Sequence, residues 1–317
     1  MSDEILGMVV DREGYFSAGA SFGYSWNPTP RNAHQLLPIE VTYVKIRDID
    51  WSYLVSFANI MDSRIAYQFS DHFIMDLRYD YIYNSQLFGS RKNFSYLHLS
   101  VETAGNLLSA LAARNAANDY GERMVLEVPY SQYLRFSAEG KRYLYHGRRS
   151  TLVLRGLVGV GLPYGNSTLM PYEKGFFGGG PTTLRAWQIR RLGPGAYSPL
   201  GEYDFDRVGD ISIVANLEER FPLIGPLEGA LFVDMGNVWT THKTEAYPDG
   251  EFNFDRFARQ LAVGTGLALR LKISILTLRF DFSIPAYDPT FEASQRWRFR
   301  HWKFSNIVTN FGIDYPF

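Results

Sequence analysis

Few residues in this 317-residue chain are arranged for covalent chemistry. Gly19-Ala20-Ser21-Phe22-Gly23 matches the Gly-x-Ser-x-Gly pattern of serine hydrolases, whose serine sits on a sharp strand-to-helix turn. Ser21 instead lies within unbroken alternation, so a mid-strand position is expected and a nucleophile is not. The acid-rich stretch 204–210 lacks the order and closing glutamate of a calcium loop and reads as a solvated connector. No histidines are spaced as metal ligands, and the absence of cysteine removes thiolate sites, disulfides and a thiol nucleophile. The expectation is a protein that is no enzyme and uses no cofactor or metal.

One segment does not read as a passive connector. Residues 175–197 run GFFGGGPTTLRAWQIRRLGPGAY. Gly178, Gly179 and Gly180, followed by Pro-Thr-Thr, specify a tight backbone path. Beyond them, Leu184, Arg185, Ala186 and Trp187 combine apolar side chains with a central arginine, a poor composition for open solvent. The segment is expected to fold back into a cavity. A mobile surface loop is the alternative on local grounds.

The elements that carry this loop are strands, because period-two alternation runs through most of the chain after residue 14. Phe73, Met75, Leu77, Tyr79, Tyr81 and Tyr83 oppose Asp76, Arg78, Asp80 and Asn84. Ile211, Ile213, Ala215 and Leu217 oppose Ser212, Asn216, Glu218 and Arg220. Leu276, Leu278, Phe280, Phe282 and Ile284 oppose Thr277, Arg279, Asp281 and Ser283. Eleven strands are predicted, over 14–27, 36–47, 72–85, 93–104, 126–140, 148–163, 209–222, 227–240, 257–271, 274–286 and 305–317. Many approach the ~9–11 residues that a tilted strand needs to cross a bilayer.

Charge on one face and apolar groups on the other suit a water-filled lumen backed by lipid. Connectors alternate short and long, as periplasmic turns and external loops do in outer-membrane barrels. Helical character in 49–61 and 106–118 falls within long connectors. The 23 Phe, 21 Tyr and 6 Trp fit aromatic girdles, although a soluble enzyme also tolerates them. A net charge of −1 gives nucleic-acid binding no support. The most apolar stretch, 152–165, contains Arg155 and is too short for a membrane helix. The acidic N-terminus lacks the order of a signal peptide.

GGGPTTLRAW at 178–187 resembles the sixth-loop signature of the BamA/TamA superfamily of outer-membrane assembly factors, usually written V-R-G-F. LEERFP (217–222), LFVDMGNVW (231–239), LAVGTGLALRL (261–271), LTLRFDFSIPAYDP (276–289) and NFGIDYPF (310–317) continue the resemblance in order. LGPGAY (192–197) and VPYSQYLRF (128–136) look most like the TamL-type branch. The resemblance implies a sixteen-stranded barrel preceded by periplasmic POTRA domains, which inserts or exports client proteins. It also implies a loop arginine, matched by Arg185, that reaches the lumen and pairs with acids matched by Glu218 and Asp234. Alternation independently sets Glu218 on the polar face. The chain departs from the family at Ala186 and Trp187, where Gly and an aromatic are usual, so the backbone at 186 is expected to differ.

Asn310, Gly312, Tyr315 and Phe317 resemble the C-terminal signal of outer-membrane barrels. In the family this last strand closes weakly on the first, leaving a lateral gate where a client strand can add to the edge. The expected partners are client outer-membrane proteins, the lipid bilayer and a periplasmic or inner-membrane assembly partner, with no nucleic acid. The expected location is the bacterial outer membrane, with the C-terminus periplasmic. Eleven strands of an expected sixteen imply the C-terminal part of a longer all-β, antiparallel transmembrane barrel. Residues 1–13 then read as the remnant of an external loop and 14–317 as barrel, with 164–208 folded into its lumen. The alternatives are a passive pore or secretion channel plugged by 164–208, and a soluble all-β binding module.

Overall fold

The computed structural model describes residues 8–12, 15–46, 70–87, 90–111, 117–118, 121–147, 149–198, 206–245, 247–273, 276–301 and 303–314. Its first strands are β1 (Met8–Arg12), β2 (Tyr15–Thr29), β3 (Asn32–Ile46), β4 (His72–Asn84) and β5 (Phe94–Ala104). Then come β6 (Met124–Val125), β7 (Val128–Pro129), β8 (Tyr133–His146) and β9 (Ser150–Pro163). The last are β10 (Ile211–Pro222), β11 (Leu227–Trp239), β12 (Ala262–Ile273), β13 (Leu276–Tyr287) and β14 (Val308–Asp314). Apart from the small β6–β7 ribbon, twelve strands form one sheet in chain order, with β1 and β14 at its ends. No helix among the described residues is long and apolar enough to cross a membrane.

All eleven predicted strands have a counterpart, but several bounds differ: the strand expected over 257–271 begins only at Ala262, after the short helix Phe257–Gln260, and the one expected over 305–317 begins at Val308, after the 3-10 turn Phe304–Asn306. Met8–Arg12, read from the sequence as loop, pairs with β2 from Met8↔Gly19 to Arg12↔Tyr15. The strand expected over 126–140 begins instead at Tyr133 and continues to His146. Leu126 and Glu127 both take positive φ, 52° and 67°, which turns the chain into the β6–β7 ribbon and delays the strand. Period-two patterning cannot register this, because ordinary residues in that backbone region leave no trace in side-chain alternation. The predicted helix at 106–118 is present as Asn106–Leu111. The one at 49–61 lies outside the described residues.

The chain divides into two compact units, the first comprising Met1–Tyr83, His98–Ser137 and Val160–Gly175. Its apolar centre joins Phe73, Leu108, Val128 and Tyr130, with Ile74, Ala104, Tyr133 and Met170 packed in a second cluster. The second unit comprises Asn84–Leu97, Ala138–Gly159 and Phe176–Phe317. Its core is built from loop and strand together: Leu184, Ala186, Trp187 and Leu192 against Val214 and Ala262.

Burial along the strands of the second unit is inverted relative to a water-soluble sheet. Leu231, Val233 and Met235 of β11 are exposed, while the intervening Phe232 and Asp234 are buried. On β13, Phe280 and Phe282 face outward, while Asp281 and Ser283 are buried. Leu217 of β10 and Leu267 and Leu269 of β12 are exposed, whereas Glu218 and Arg270 are buried. Leaving one such side chain in water forgoes about 1.5–3 kcal/mol relative to burying it, and burying charge adds a further penalty. A lipid-facing exterior removes the first cost, and pairing among the buried charges offsets the second. The sheet is built for a bilayer.

Candidate functional site

Glycine makes the path of the 175–197 loop possible. Gly179 has φ +87°, and a Cβ there would lie 2.0 Å from the carbonyl oxygen of Gln188. The N–H of Gly180 donates to the carbonyl of Trp187 at 2.8 Å, closing the tip, and Gly178 bridges Leu192 below it. Between these clasps the Thr183 hydroxyl donates to the Gly179 carbonyl at 2.6 Å. Leu184, Ala186 and Trp187 then enter the core described above, which leaves Arg185 directed at the polar faces of the strands.

Arg185 is gripped from several strands. Its Nε and Nη2 donate to the two oxygens of Asp234 on β11, each at 2.8 Å, in a fork-on-fork arrangement. Nη1 donates to Glu218 Oε2 on β10 at 2.6 Å and lies 3.7 Å from Asp281 Oδ1 on β13. The backbone N–H also donates to Asp234 Oδ2 at 3.1 Å. Asn216 completes Asp234 by donating to Oδ1 at 2.8 Å. The guanidinium carbon stands 3.3 Å from the centroid of the Phe232 ring, a cation–π contact on its free face. Burial works against the charge, but the bonds and fields of Asp234, Glu218 and Asp281 outweigh it and hold the pKa above the ordinary arginine value. The carbonyl of Arg185 accepts from Ser283 Oγ on β13 at 2.6 Å and from Asn310 Nδ2 on β14 at 2.8 Å.

The structure thus brings Arg185, Glu218 and Asp234 together and adds partners the sequence did not assign to the loop. Alternation had placed Arg220, Arg279, Asp281 and Ser283 on the polar face, but not against this tip. Gly178, Gly179 and Gly180 build its neck, and Leu184, Ala186 and Trp187 its apolar shoulder. Asn310, singled out for the terminal strand, reaches the loop. Gly312 lies beside the Arg279 guanidinium, 3.4 Å from where a Cβ would stand. Tyr315 and Phe317 lie outside the described residues. Ser21 sits mid-strand opposite Glu40, with no elbow.

Ala186 does not take the left-handed conformation, which among described non-glycine residues is confined to Leu126, Glu127, Arg190 and Asp249. Its methyl is instead accommodated by Gly264 of β12, where an added Cβ would come within 2.6 Å of the Ala186 Cβ. Gly264→Val is therefore expected to push the tip out while leaving every charge in place, at a cost of about 1–3 kcal/mol of overpacking. Thermal denaturation together with protease cutting in 175–197 measures this. A variant as stable and as resistant as the parent would show that the tip yields freely.

The segment expected to be a solvated connector at 204–210 is, where described, largely buried. Asp210 accepts from the N–H and hydroxyl of Thr241 at 2.8 and 2.9 Å. Arg207 donates to the carbonyls of Gly193 and Arg191. These bonds fasten the descending limb of the loop, so polar residues there serve as internal anchors rather than a hydrated surface.

A second clamp holds the ascending limb within the first unit. Lys174 Nζ donates to Asp76 Oδ2 on β4 at 2.7 Å and lies 2.8 Å from Glu102 Oε1 on β5. Tyr133 of β8 donates to the same Glu102 oxygen at 2.5 Å, and Arg135 Nε donates to the Lys174 carbonyl at 3.0 Å. Burial opposes the ammonium charge, yet Glu102 and Asp76 outweigh it and raise its pKa. Lys174 is separated from both acids by 70 or more positions in the chain, so nothing local in the sequence marks the pairing.

The model of the Omp85 superfamily domain matches residues 12–301. The chain belongs to the Omp85 superfamily. It is 26% identical over 171 residues to the outer membrane protein assembly factor BamA of Neisseria meningitidis, covering 47% of this chain and 21% of that protein. Among solved structures, BamA from Haemophilus ducreyi lacking POTRA domains 1–3 superposes with a TM-score of 0.61 at 15% identity, covering 94% of this chain and 53% of that one. CdiB from Acinetobacter baumannii gives a TM-score of 0.50 at 13% identity, covering 94% and 41%. The chain spans about a fifth of the curated relative and about half of the first solved one. An Omp85 domain is an outer-membrane β-barrel, which accounts for the outward apolar faces and buried charges of these strands.

Proposed function

We propose that this Omp85 domain is the barrel part of an outer-membrane assembly factor of the TamL-type branch. It handles client outer-membrane proteins by offering the edge of β14 as a template for a client strand. The observation that carries the reading is the position and tethering of β14. It ends the sheet order, has β13 as its only strand partner among the described residues, and is tied to the loop tip by the Asn310–Arg185 bond. An edge with unpaired N–H and C=O groups accepts an added strand, and its bond to the loop couples the state of one to the other. No covalent chemistry and no cofactor enter this scheme. The C-terminus is placed in the periplasm, where client strands and an inner-membrane or periplasmic partner reach it.

The test places photo-crosslinking residues along β14 of the full-length protein in the outer membrane and recovers adducts. Client barrels are expected at β14. Asn310→Ala is expected to slow client assembly by about 5-fold, the worth of one lost hydrogen bond. Absence of β14 adducts, combined with conductance that rises on deleting 175–197 without an assembly defect, would establish the plugged-channel reading instead.

A further inference from the structure

The second unit contains a cavity of about 390 Å3 bounded on one side by Pro181, Thr182 and Thr183 of the loop tip. Eight cationic side chains line it, against three acids. Even when Asp234 and Asp281, which lie against Arg185 and Arg279, are counted, three positive charges remain in excess. Glu218 alone serves three guanidiniums, those of Arg185, Arg220 and Arg270. Arg270 and Arg279 stand directly opposite each other across β12 and β13. Like charges in that position repel and cost stability. The buried Nε of Arg270 has no hydrogen-bond acceptor.

A polar face that only had to support the loop would not carry this surplus. The Arg185 grip gathers Asp234, Glu218 and Asp281 around one guanidinium, whereas the cations beyond it outnumber the acids that line the cavity with them. They also form a track rather than a point. Arg270 and Lys272 occupy alternate positions of β12, about 7 Å apart along the strand. Lys141 and Arg155 face them from β8 and β9. The track leads outward to Lys272, whose side chain is 52% exposed, and to exposed Arg149 beside the β8–β9 turn.

We propose that this cavity binds the carboxylates of an acidic polypeptide segment in extended form. Carboxylates at alternate positions of an extended chain repeat with the same rise as the cations of β12. One carboxylate between Arg270 and Arg279 would relieve their repulsion and supply the missing acceptor. A single small anion would engage that pair and leave the rest of the track unused. The inference is independent of the strand-templating reading, since it concerns the polar face and not the β14 edge.

The test is fluorescence anisotropy on the full-length protein in lipid nanodiscs, with a labelled alternating Glu-Thr peptide as probe. An alternating Lys-Thr peptide and inorganic pyrophosphate serve as comparisons. The acidic peptide is expected to bind, the basic one not, and pyrophosphate to compete at least about 10-fold more weakly. Lys272→Gln and Arg149→Gln, both at the exposed mouth and harmless to folding, are each expected to weaken binding about 3-fold. Arg270→Gln is expected to weaken it about 10-fold or more. Equal binding of both peptides, no binding of either, or insensitivity to all three substitutions overturns the proposal. Pyrophosphate matching the peptide also overturns it, in favour of a point site for small anions.

Discussion

Replacing Arg185 by alanine is expected to release the tip of the 175–197 loop and to destabilise the domain by about 3–5 kcal/mol. The reason lies in what the substitution leaves behind. Glu218 keeps Arg220 and Arg270, with contacts of 2.7 and 2.6 Å. Asp234, fully buried, keeps only neutral donors, Asn216 at 2.8 Å and the main-chain N–H at position 185. A buried carboxylate without its cation is far costlier than the intact pair is stabilising. Removing both charges together, in Arg185→Ala with Asp234→Ala, is therefore expected to cost less than the sum of the single changes. Arg185→Lys keeps the charge but cannot reproduce the forked contact to Asp234 and the contact to Glu218 at once, so it should fall between parent and alanine. Thermal denaturation in detergent and protease cutting within 175–197 read both effects. Parent-like stability and resistance in Arg185→Ala would show that the cluster does not hold the loop, and parent-like client assembly would detach the loop from the proposed function.

Lys174→Ala should be comparably severe, for a different arrangement of the same physics. Asp76 and Glu102 are both almost fully buried and both lean on Lys174. Without it, Glu102 retains the Tyr133 hydroxyl and a 4.0 Å approach from Arg135, while Asp76 retains only a long 3.5 Å contact from Tyr133. Two neighbouring carboxylates then repel each other with no cation between them, at an expected cost of about 3–5 kcal/mol. Asp76→Asn introduced into the Lys174→Ala background removes one of the two charges and should recover part of that loss. Denaturation midpoints of the two variants decide the matter. A double variant no more stable than Lys174→Ala would show that the lysine acts through packing of its stem rather than through its charge.

These two residues differ in how legible they were. Arg185 stands in a segment whose glycines and apolar neighbours mark it as inward-folding, and the family resemblance names its acids. Lys174, a few residues earlier in the same loop, carries no such mark. A lysine before Gly-Phe-Phe-Gly is unremarkable until β4, β5 and β8 are assembled around it. The same holds for Asp281, Ser283 and Asn310. Alternation placed the first two on the polar face, and Asn310 was read as part of the terminal strand alone. Their reach to Arg185 depends on where four strands place their ends relative to one another.

Eleven of the strands, the two faces of each and the short–long rhythm of the connectors follow from the amino-acid order, because side chains in a strand alternate with period two and turns need their own residues. So does the inward fold of the glycine-rich loop, since its tip carries apolar groups and a charge that open water would leave unsatisfied. Registers between strands do not follow, and neither do the pairings of Arg185 with Asp281, of Lys174 with Asp76 and Glu102, or of Arg270 against Arg279. Each is a contact between positions distant in the chain, fixed by hydrogen-bond ladders that slide in steps of whole residues. The late start of β8 and the addition of β1 belong with them. One depends on two ordinary residues turning left-handed, and the other on a five-residue strand recognisable only once β2 is there to pair with it.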